Sequence, residues 1–215
     1  MAAICIDTAT ENGLVAFAPV DGPIASVSGR SAGRHGENLF GHIDAALSEA
    51  KVARDALSLV GVDIGPGRFT SLRVGLATAK GLALGLGLPI VGVSSLRVLA
   101  RSMPGDDDVV RVPTMDAYRG DIFAAAYVFE DAALREVCAP TFGRPDEVLE
   151  RIRAVVGERP ICADVAAASA EAIVEETRQV LRIDGPADLA LLEPQYLRPS
   201  DAKLPDRPLR TEHTS

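Results

Sequence analysis

The sequence predicts an α/β protein of two duplicated halves, each a mixed sheet with three antiparallel strands and flanking helices. Strand and helix patterns follow the order βββαβαβα over about the first hundred residues. The order βββαβα then begins again, after a polar, glycine-bearing segment at residues 104–108. Each repeat opens on an apolar strand that ends in aspartate, Asp7 in the first and Asp116 in the second, as expected of an internal duplication.

The first half opens with three short strands joined by the turn signals Asn12-Gly13 and Asp21-Gly22. Apolar residues at helical spacing then predict an amphipathic helix, followed by a continuously apolar strand of the buried parallel type. A glycine turn, a second helix, a strand and a third helix complete this half. The predicted strands cover residues 2–7, 14–20, 24–28, 57–64 and 89–93, and the predicted helices cover residues 37–51, 70–86 and 94 onward.

The second half repeats the same order. Its predicted strands cover residues 109–117, 121–129, 134–142 and 160–164, and its predicted helices cover residues 146–156 and 166–180. Two RNase H-like halves of this kind, facing each other across a cleft, form the architecture of the actin-like ATPase and sugar-kinase superfamily. We therefore expect an N-terminal half over 1–104, a smaller C-terminal half over 105–198 and an extended, proline- and charge-rich tail over 199–215.

Composition narrows the function. The formal net charge is −8, which argues against a surface that grips phosphate backbones by itself, so contact with RNA would need a partner. The three cysteines have neither zinc-ligand nor redox-pair spacing. The apolar run at residues 74–93 contains Lys80 and Pro89 and favours a buried helix and strand over a membrane span. Without a secretion signal, we expect a cytoplasmic protein.

A first candidate site follows the first strand, where Asp7, Thr8 and Thr10 could hold phosphate oxygens or a metal-bound water shell. Phosphate-gripping hairpins normally carry glycine in the turn, and here none occurs before Gly13. The alternative is that the carboxylate caps the N–H groups of its own hairpin, and the sequence favours that alternative.

A second candidate is the turn Gly65-Pro66-Gly67-Arg68, which joins a buried strand to a helix that Thr70 or Ser71 could cap. A dinucleotide fingerprint would need a third glycine where Thr70 stands, and a Walker loop would need Gly-Lys-Ser/Thr. Neither motif is present, although an anion could still meet the helix N-terminus.

The helix over residues 70–86 carries only two charged residues, Arg73 and Lys80, and its leucines spread around its circumference. Such a helix cannot leave a broad face in water. One side must meet the sheet, and the other must meet the first helix of this chain or a second protein, with small residues allowing close approach.

The sequence gives little support for a metal site or for an active site with a nucleophilic side chain. His35 and His42 are seven residues apart, about 10.5 Å along a helix, which is too far to share one metal. No nucleophile-elbow motif accompanies either histidine. The sequence therefore predicts no metal site and no catalytic residue.

Four blocks resemble the TsaB family, also called YeaZ, in order and spacing: ICIDTAT, GPGRFTSLRVGLATAKGLALGLGLPIVGVSSL, MDAYRGDIF and EPQYLRPSDAKLP. The usual family turn reads GPGSFTGLRIG, so Arg68 stands in place of a serine and Ser71 in place of a glycine. The resemblance implies a non-catalytic subunit of the bacterial machinery that makes threonylcarbamoyladenosine beside the anticodon of tRNAs reading codons that begin with A.

The resemblance also implies partners. These are a TsaD-like catalytic subunit, a TsaE-like ATPase, tRNA only through the complex, and a second copy of the chain on related surfaces. No tightly bound cofactor is implied, and ATP or ADP is expected only at the assembled complex. The partner-facing residues it implies lie on two helices: His35, Leu39, His42 and Ile43 on the first, and Arg73, Ala77, Lys80, Gly81 and Leu84 on the second.

Alternatives to a non-catalytic subunit also remain, and the segment near the C-terminus has an expected structural role. The residues leave open an ATP-dependent kinase-like enzyme that uses Asp7, and the wider family that the chain resembles implies a glycoprotease-type peptidase as another alternative. A structural binding module unrelated to tRNA is the third alternative. Near the C-terminus, Tyr196 and Arg198 are expected to pin the chain to the first half through an aromatic contact and a charge-assisted hydrogen bond.

Overall fold

A computed structural model describes residues 1–10, 12–30, 35–164 and 167–198, apart from the side chains of residues 30, 35–38 and 164. The predicted order of strands and helices is confirmed. The strands are β1 (Ala3–Asp7), β2 (Asn12–Ala18), β3 (Ala25–Arg30), β4 (Leu59–Gly65), β5 (Ile90–Ser94), β6 (Val110–Asp116), β7 (Ile122–Glu130), β8 (Ala133–Gly143) and β9 (Ile161–Asp164). The helices are α1 (His35–Glu49), α2 (Phe69–Leu86), α3 (Ser95–Ser102), α4 (Pro145–Val156) and α5 (Ala170–Asp184), with a 3-10 turn at Arg54–Ala56.

The strands form two sheets with matching topology. The first sheet has the order β3-β2-β1-β4-β5, antiparallel up to β1 and parallel from β1 to β5. The second has the order β8-β7-β6-β9, with the same two antiparallel pairs followed by one parallel pair. The second sheet therefore repeats the first with one strand fewer, which supports the predicted duplication.

Alternation along the strands gives the first sheet two apolar faces. Side chains such as Ile4, Ile6 and Val62 pack beneath α1 and α2 in one core cluster. Their neighbours, such as Cys5 and Val93, point to the opposite face and pack beneath α5 in a second cluster. Burial on both faces explains why the central strands β1 and β4 of this sheet are apolar at nearly every position.

The helix α3 lies between the two sheets. Leu96 and Leu99 pack there with Met115, Phe123 and Tyr127 of the second sheet, and this cluster joins the two lobes. On the far face of the second sheet, α4 closes a smaller core of its own.

The predicted domain division needs one correction. The chain passes from one sheet to the other between α3 and β6, close to the predicted boundary at 104, but α5 returns to the first sheet. Its apolar stripe, which includes Ile173 and Val174, covers the first sheet, while Glu176 is bound by Arg97 and Arg101 of α3. The fold is therefore not divided at one point of the chain, and the second lobe is built around residues 110–164.

The segment 187–198 is a strap that continues back along the first sheet. Its backbone bonds to β5 and β4, through Ala187 N to Ile90 O (2.8 Å) and Gln195 N to Ile64 O (2.6 Å). The side chains of Leu189 and Leu192 pack against the first core cluster. The predicted tail over 199–215 lies outside the described residues. Across the described part of the chain, no helix is both long and apolar enough to cross a membrane.

Candidate partner-binding face and interlobe cleft

The glycine turn after β4 leads directly into α2, as predicted. Gly65 adopts φ +114°, and a Cβ there would lie 2.8 Å from Gln195 O of the strap, so both its conformation and its space require glycine. The helix begins at Phe69, and the N-cap residue Arg68 makes no side-chain capping bond. The prediction that Thr70 or Ser71 caps the helix is wrong, because both residues lie within its first turn.

The hairpin after β1 uses its polar groups internally. Asp7 is fully buried, and its Oδ1 accepts from Ala9 N (2.7 Å) while its Oδ2 accepts from the Thr10 hydroxyl (3.2 Å). Burial raises the pKa of this carboxyl. The Thr8 hydroxyl donates to Ser71 O of α2 (2.8 Å) and is equally buried. The capping interpretation of Asp7 is thus supported, and neither Asp7 nor Thr8 is accessible to a nucleotide in this structure.

Asp116 repeats this arrangement in the second lobe, where its Oδ1 accepts from Tyr118 N (2.8 Å). The two strand-terminal aspartates therefore make the same i to i+2 turn in both halves. This shared turn is a structural consequence of the duplicated pattern that the sequence displays.

A cleft of about 580 Å³ separates these two turns. Thr10, Asn12 and Ser28 line it from the first lobe and Asp116 from the second, while Arg68 lies with its guanidinium 5.6 Å from the centre of the Tyr118 ring. Thr10 and Arg68 are thus the members of the predicted anion set that line the cleft. Anion binding by the glycine turn stays a prediction.

The outer side of α2 presents the predicted apolar stripe. Ala77, Gly81 and Leu84 are exposed at helical spacing, and Leu84 is 72% exposed. A Cβ built at Gly81 would meet nothing within 4 Å, so the helix backbone is open to close approach from outside. The inner side, by contrast, is tightly packed, and a Cβ at Gly75 would lie 2.1 Å from the Thr8 hydroxyl oxygen.

The charged residues of this helix contact the strap. Arg73 stacks over the Phe69 ring, 3.8 Å from its centre, and its Nε donates to the Tyr196 hydroxyl (3.0 Å). Lys80 Nζ donates to Ala190 O (3.4 Å). Both residues were predicted to face a partner, and in the free chain they hold the strap along the helix.

Tyr196 itself stacks on Phe69 with ring centres 4.8 Å apart, so the predicted aromatic contact with the first half exists. Arg198 does not reach that half. Its Nη1 donates to Ala117 O (2.7 Å) and Tyr118 O (3.2 Å) in the second lobe, so the end of the strap connects the two lobes.

On α1 the predicted face is partly wrong. Leu39 and Ile43 are 4% and 1% exposed and pack in the core beneath the helix, so they cannot meet a partner. His42 is half-buried with its ring near Gly29 of β3, and the side chain of His35 lies outside the described residues. Phe40, which is not among the predicted partner-facing residues, is 58% exposed on the outer side. Because Leu39, Phe40 and Ile43 are all apolar, their spacing could not show which of them faces outward.

One buried carboxyl was also missed. Asp63 lies near the end of the apolar strand β4 and is 1% exposed. A lone acidic residue within a continuously apolar strand was the available signal, because buried strands rarely tolerate an unpaired charge.

Comparison with known proteins identifies the family. Residues 29–209 match the family model described as TsaD, tRNA N6-adenosine threonylcarbamoyltransferase. The chain is 30% identical over 162 residues to the Escherichia coli tRNA threonylcarbamoyladenosine biosynthesis protein TsaB, an alignment that covers 74% of this chain and 69% of that protein. The chain belongs to the TsaB family.

Other TsaB comparisons agree. The Bacillus subtilis TsaB protein is 31% identical over 137 residues, covering 64% of this chain and 59% of that protein. The solved structure of YeaZ from Pseudomonas aeruginosa superimposes with a TM-score of 0.77 at 22% identity and covers 91% of this chain and 99% of that one, which supports the two-lobed fold. The chain spans about two fifths to three fifths of the length of the first curated relatives that it matches.

Proposed function

We propose that this TsaB-family chain is a non-catalytic subunit that binds and activates a TsaD-like catalytic subunit for threonylcarbamoyl transfer to tRNA. The relatives that carry the TsaB name are described as tRNA threonylcarbamoyladenosine biosynthesis proteins, and the family model bears the name of the transferase. A TsaE-like ATPase completes the proposed assembly.

The exposed stripe on α2 carries the proposal. Leu84 leaves most of its surface in water, and Ala77 and Gly81 beside it offer no bulk that would keep a second helix away. An apolar side chain that stays exposed in the monomer gains about 25 cal/mol for each Å² that a partner covers. Phe40 of α1 adds a second exposed apolar side chain on the neighbouring helix.

The charge of the chain supports an indirect role with RNA. With 30 acidic and 22 basic residues, the chain repels a phosphate backbone on average. We propose that the assembled complex binds tRNA. In that complex this chain would have a structural role and would not supply a basic surface for the phosphate backbone. A second copy of the chain could cover the same stripe in the absence of the catalytic subunit.

The state of the first hairpin supports a non-catalytic role. A kinase-like use of Asp7 would require its carboxylate to face a nucleotide, whereas here both of its oxygens accept hydrogen bonds within the hairpin. The proposal therefore assigns no tight nucleotide site to the chain itself. ATP or ADP would bind only where the partner completes a site.

Two variants on the stripe test the proposal. Gly81→Arg and Leu84→Asp should weaken binding to the TsaD-like subunit of the same organism, measured by isothermal titration calorimetry, because both place bulk or charge at the contact. Val155→Asp is the matched control, since Val155 is a 56% exposed apolar residue on α4 of the other lobe. None of the three variants should lose thermal stability on the scale of its loss of binding, and Gly81→Arg should melt slightly above wild type because arginine favours a helix more than glycine does.

Two results would contradict this assignment of the surface. One is wild-type affinity in both stripe variants. The other is a loss of thermal stability as large as the loss of binding, which would mean that the stripe supports the monomer and not a complex. The tRNA role has its own test: depletion of the chain should remove the threonylcarbamoyl nucleoside from bulk tRNA.

A further inference from the structure

Two carboxyl groups lie side by side at the ends of the central strands. The parallel register of β1 and β4 pairs Ile6 with Val62, which brings Asp7 and Asp63 next to each other one residue later. Both residues are at most 1% exposed. Two neighbouring ionised carboxylates in such a place would repel each other without water to screen them.

The hydrogen bonds of the two groups differ. Both oxygens of Asp7 accept, from Ala9 N and from the Thr10 hydroxyl. Oδ1 of Asp63 also accepts, from Gly65 N (2.7 Å) and from the Ser95 hydroxyl (2.6 Å). Oδ2 of Asp63 is different, because it is buried and has no ordinary donor among the described residues.

We propose that Asp63 keeps its proton at neutral pH and donates it from Oδ2 to the carboxylate of Asp7. The shared proton then joins the ends of β1 and β4 directly beneath the glycine turn that starts α2. A protonated acid satisfies the otherwise unpaired oxygen and removes one of the two buried charges. Asp7 is the natural acceptor, since its other partners are already donors.

The surroundings agree with this assignment. The pKa of Asp63 is raised well above its usual value, first by burial and then by the charge of Asp7. The hairpin contributes a hydroxyl and a backbone N–H, β4 a backbone N–H, and α3 the Ser95 hydroxyl. From α2, Arg68 at the N-cap lies over the Tyr118 ring in the cleft.

The proton makes folding depend on pH in one direction. In the unfolded chain Asp63 ionises at an ordinary aspartate pKa, whereas in the folded chain it stays protonated to higher pH. The folded state therefore binds more protons between these two pKa values, and stability falls as pH rises. One such proton increases the unfolding equilibrium constant by up to about tenfold for each pH unit in that window.

Asp63→Asn separates this proposal from ordinary packing. The asparagine oxygen can still accept from Gly65 N and Ser95, and its amide N–H can donate to Asp7 in place of the acid. We expect the variant to fold and to lose up to a tenfold change in unfolding constant per pH unit relative to wild type, as pH rises above the ordinary aspartate pKa. Asp7→Asn is the matched control, and it should destabilise at every pH because it places an amide where both oxygens accept.

Infrared spectroscopy supplies a second measurement, on the wild-type chain. A protonated carboxyl gives a carbonyl band distinct from that of a carboxylate, and we expect this band at neutral pH in wild type and its absence in Asp63→Asn. A wild-type spectrum without the band would overturn the proposal, whether or not the variant folds. An Asp63→Asn variant whose unfolding constant depends on pH as in wild type would also overturn the proposal. So would an Asp7→Asn variant that is more stable than wild type.

Discussion

Replacing Glu176 by glutamine removes one buried charge from the contact between α5 and α3. Glu176 is fully buried, and Arg97 and Arg101 both donate to its carboxylate, the second through Nη2 at 2.9 Å and Nε at 3.1 Å. The amide of glutamine can accept on one side only. In the variant, the two guanidinium groups therefore lose one of the two carboxylate oxygens that accept their hydrogen bonds, and they lose the negative charge between them.

Breaking a buried ion pair by removing one partner typically costs about 3–5 kcal/mol. For a chain of this size each kcal/mol lowers the melting temperature by about 2–4 °C, so the expected loss is about 6–20 °C. Urea unfolding at neutral pH should show the same loss as a lower midpoint with an unchanged slope.

The adjacent residue supplies the control. Glu175 pairs with Arg182 on the outside of the same helix, where both side chains are largely exposed. Glu175→Gln should cost about 0–1 kcal/mol, as exposed pairs do. If Glu176→Gln lost no more than Glu175→Gln, the buried pair would not hold α5 on the first lobe, and the reasoning would be refuted.

Three further predictions concern packing, the strap and thiol reactivity. Gly75→Ala should lower the free energy of unfolding by about 1–3 kcal/mol in urea, because the new methyl group would overlap the Thr8 side chain. Gly81→Ala, at an open helical position, should raise it by up to about 1 kcal/mol. Equal effects of the two changes would contradict the view that one side of α2 is packed and the other open. Arg198→Met should increase amide hydrogen exchange at the β6–β7 turn, because the guanidinium of Arg198 binds two carbonyl oxygens of that turn. Exchange in α4 should not change. Unchanged exchange at the turn would show that the strap does not hold the turn in place. Burial raises the pKa of the Cys5 thiol to about 11, so a thiol reagent at about pH 8 should label Cys5 only on unfolding. Peptide mapping separates Cys5 from the partly exposed Cys138 and Cys162, and rapid labelling of Cys5 in the native chain would disagree.

Much of the fold could be predicted because the local signals agree with one another. Turn dipeptides such as Asn12-Gly13, continuous apolar strands and the repeated strand-terminal aspartates, Asp7 and Asp116, all indicate the same two sheets. The return of α5 to the first lobe could not be predicted in this way. The amphipathic pattern of α5 indicates that one face of the helix packs on a sheet. It does not indicate which of the two similar sheets that is.

The candidate face shows the same limit. The resemblance implies that Arg73, Ala77, Lys80, Gly81 and Leu84 face a partner, and this stays a prediction. The strap that contacts the two charged residues is distant in sequence, so no local pattern could indicate it. On α1, Leu39 and Phe40 are equally apolar, and only the position of the sheet decides that Phe40 faces outward. Asp63 was missed for a related reason, since its neighbour on β1 becomes visible only once the strands are paired.

The proposed function requires this chain to bind a catalytic TsaD-like subunit. Size-exclusion chromatography with light scattering, on the wild-type chain mixed with that subunit from the same organism, tests it most directly. We expect one peak with the summed mass of the two proteins. Two separate peaks, each with the mass of its own protein both with and without nucleotide, would contradict it.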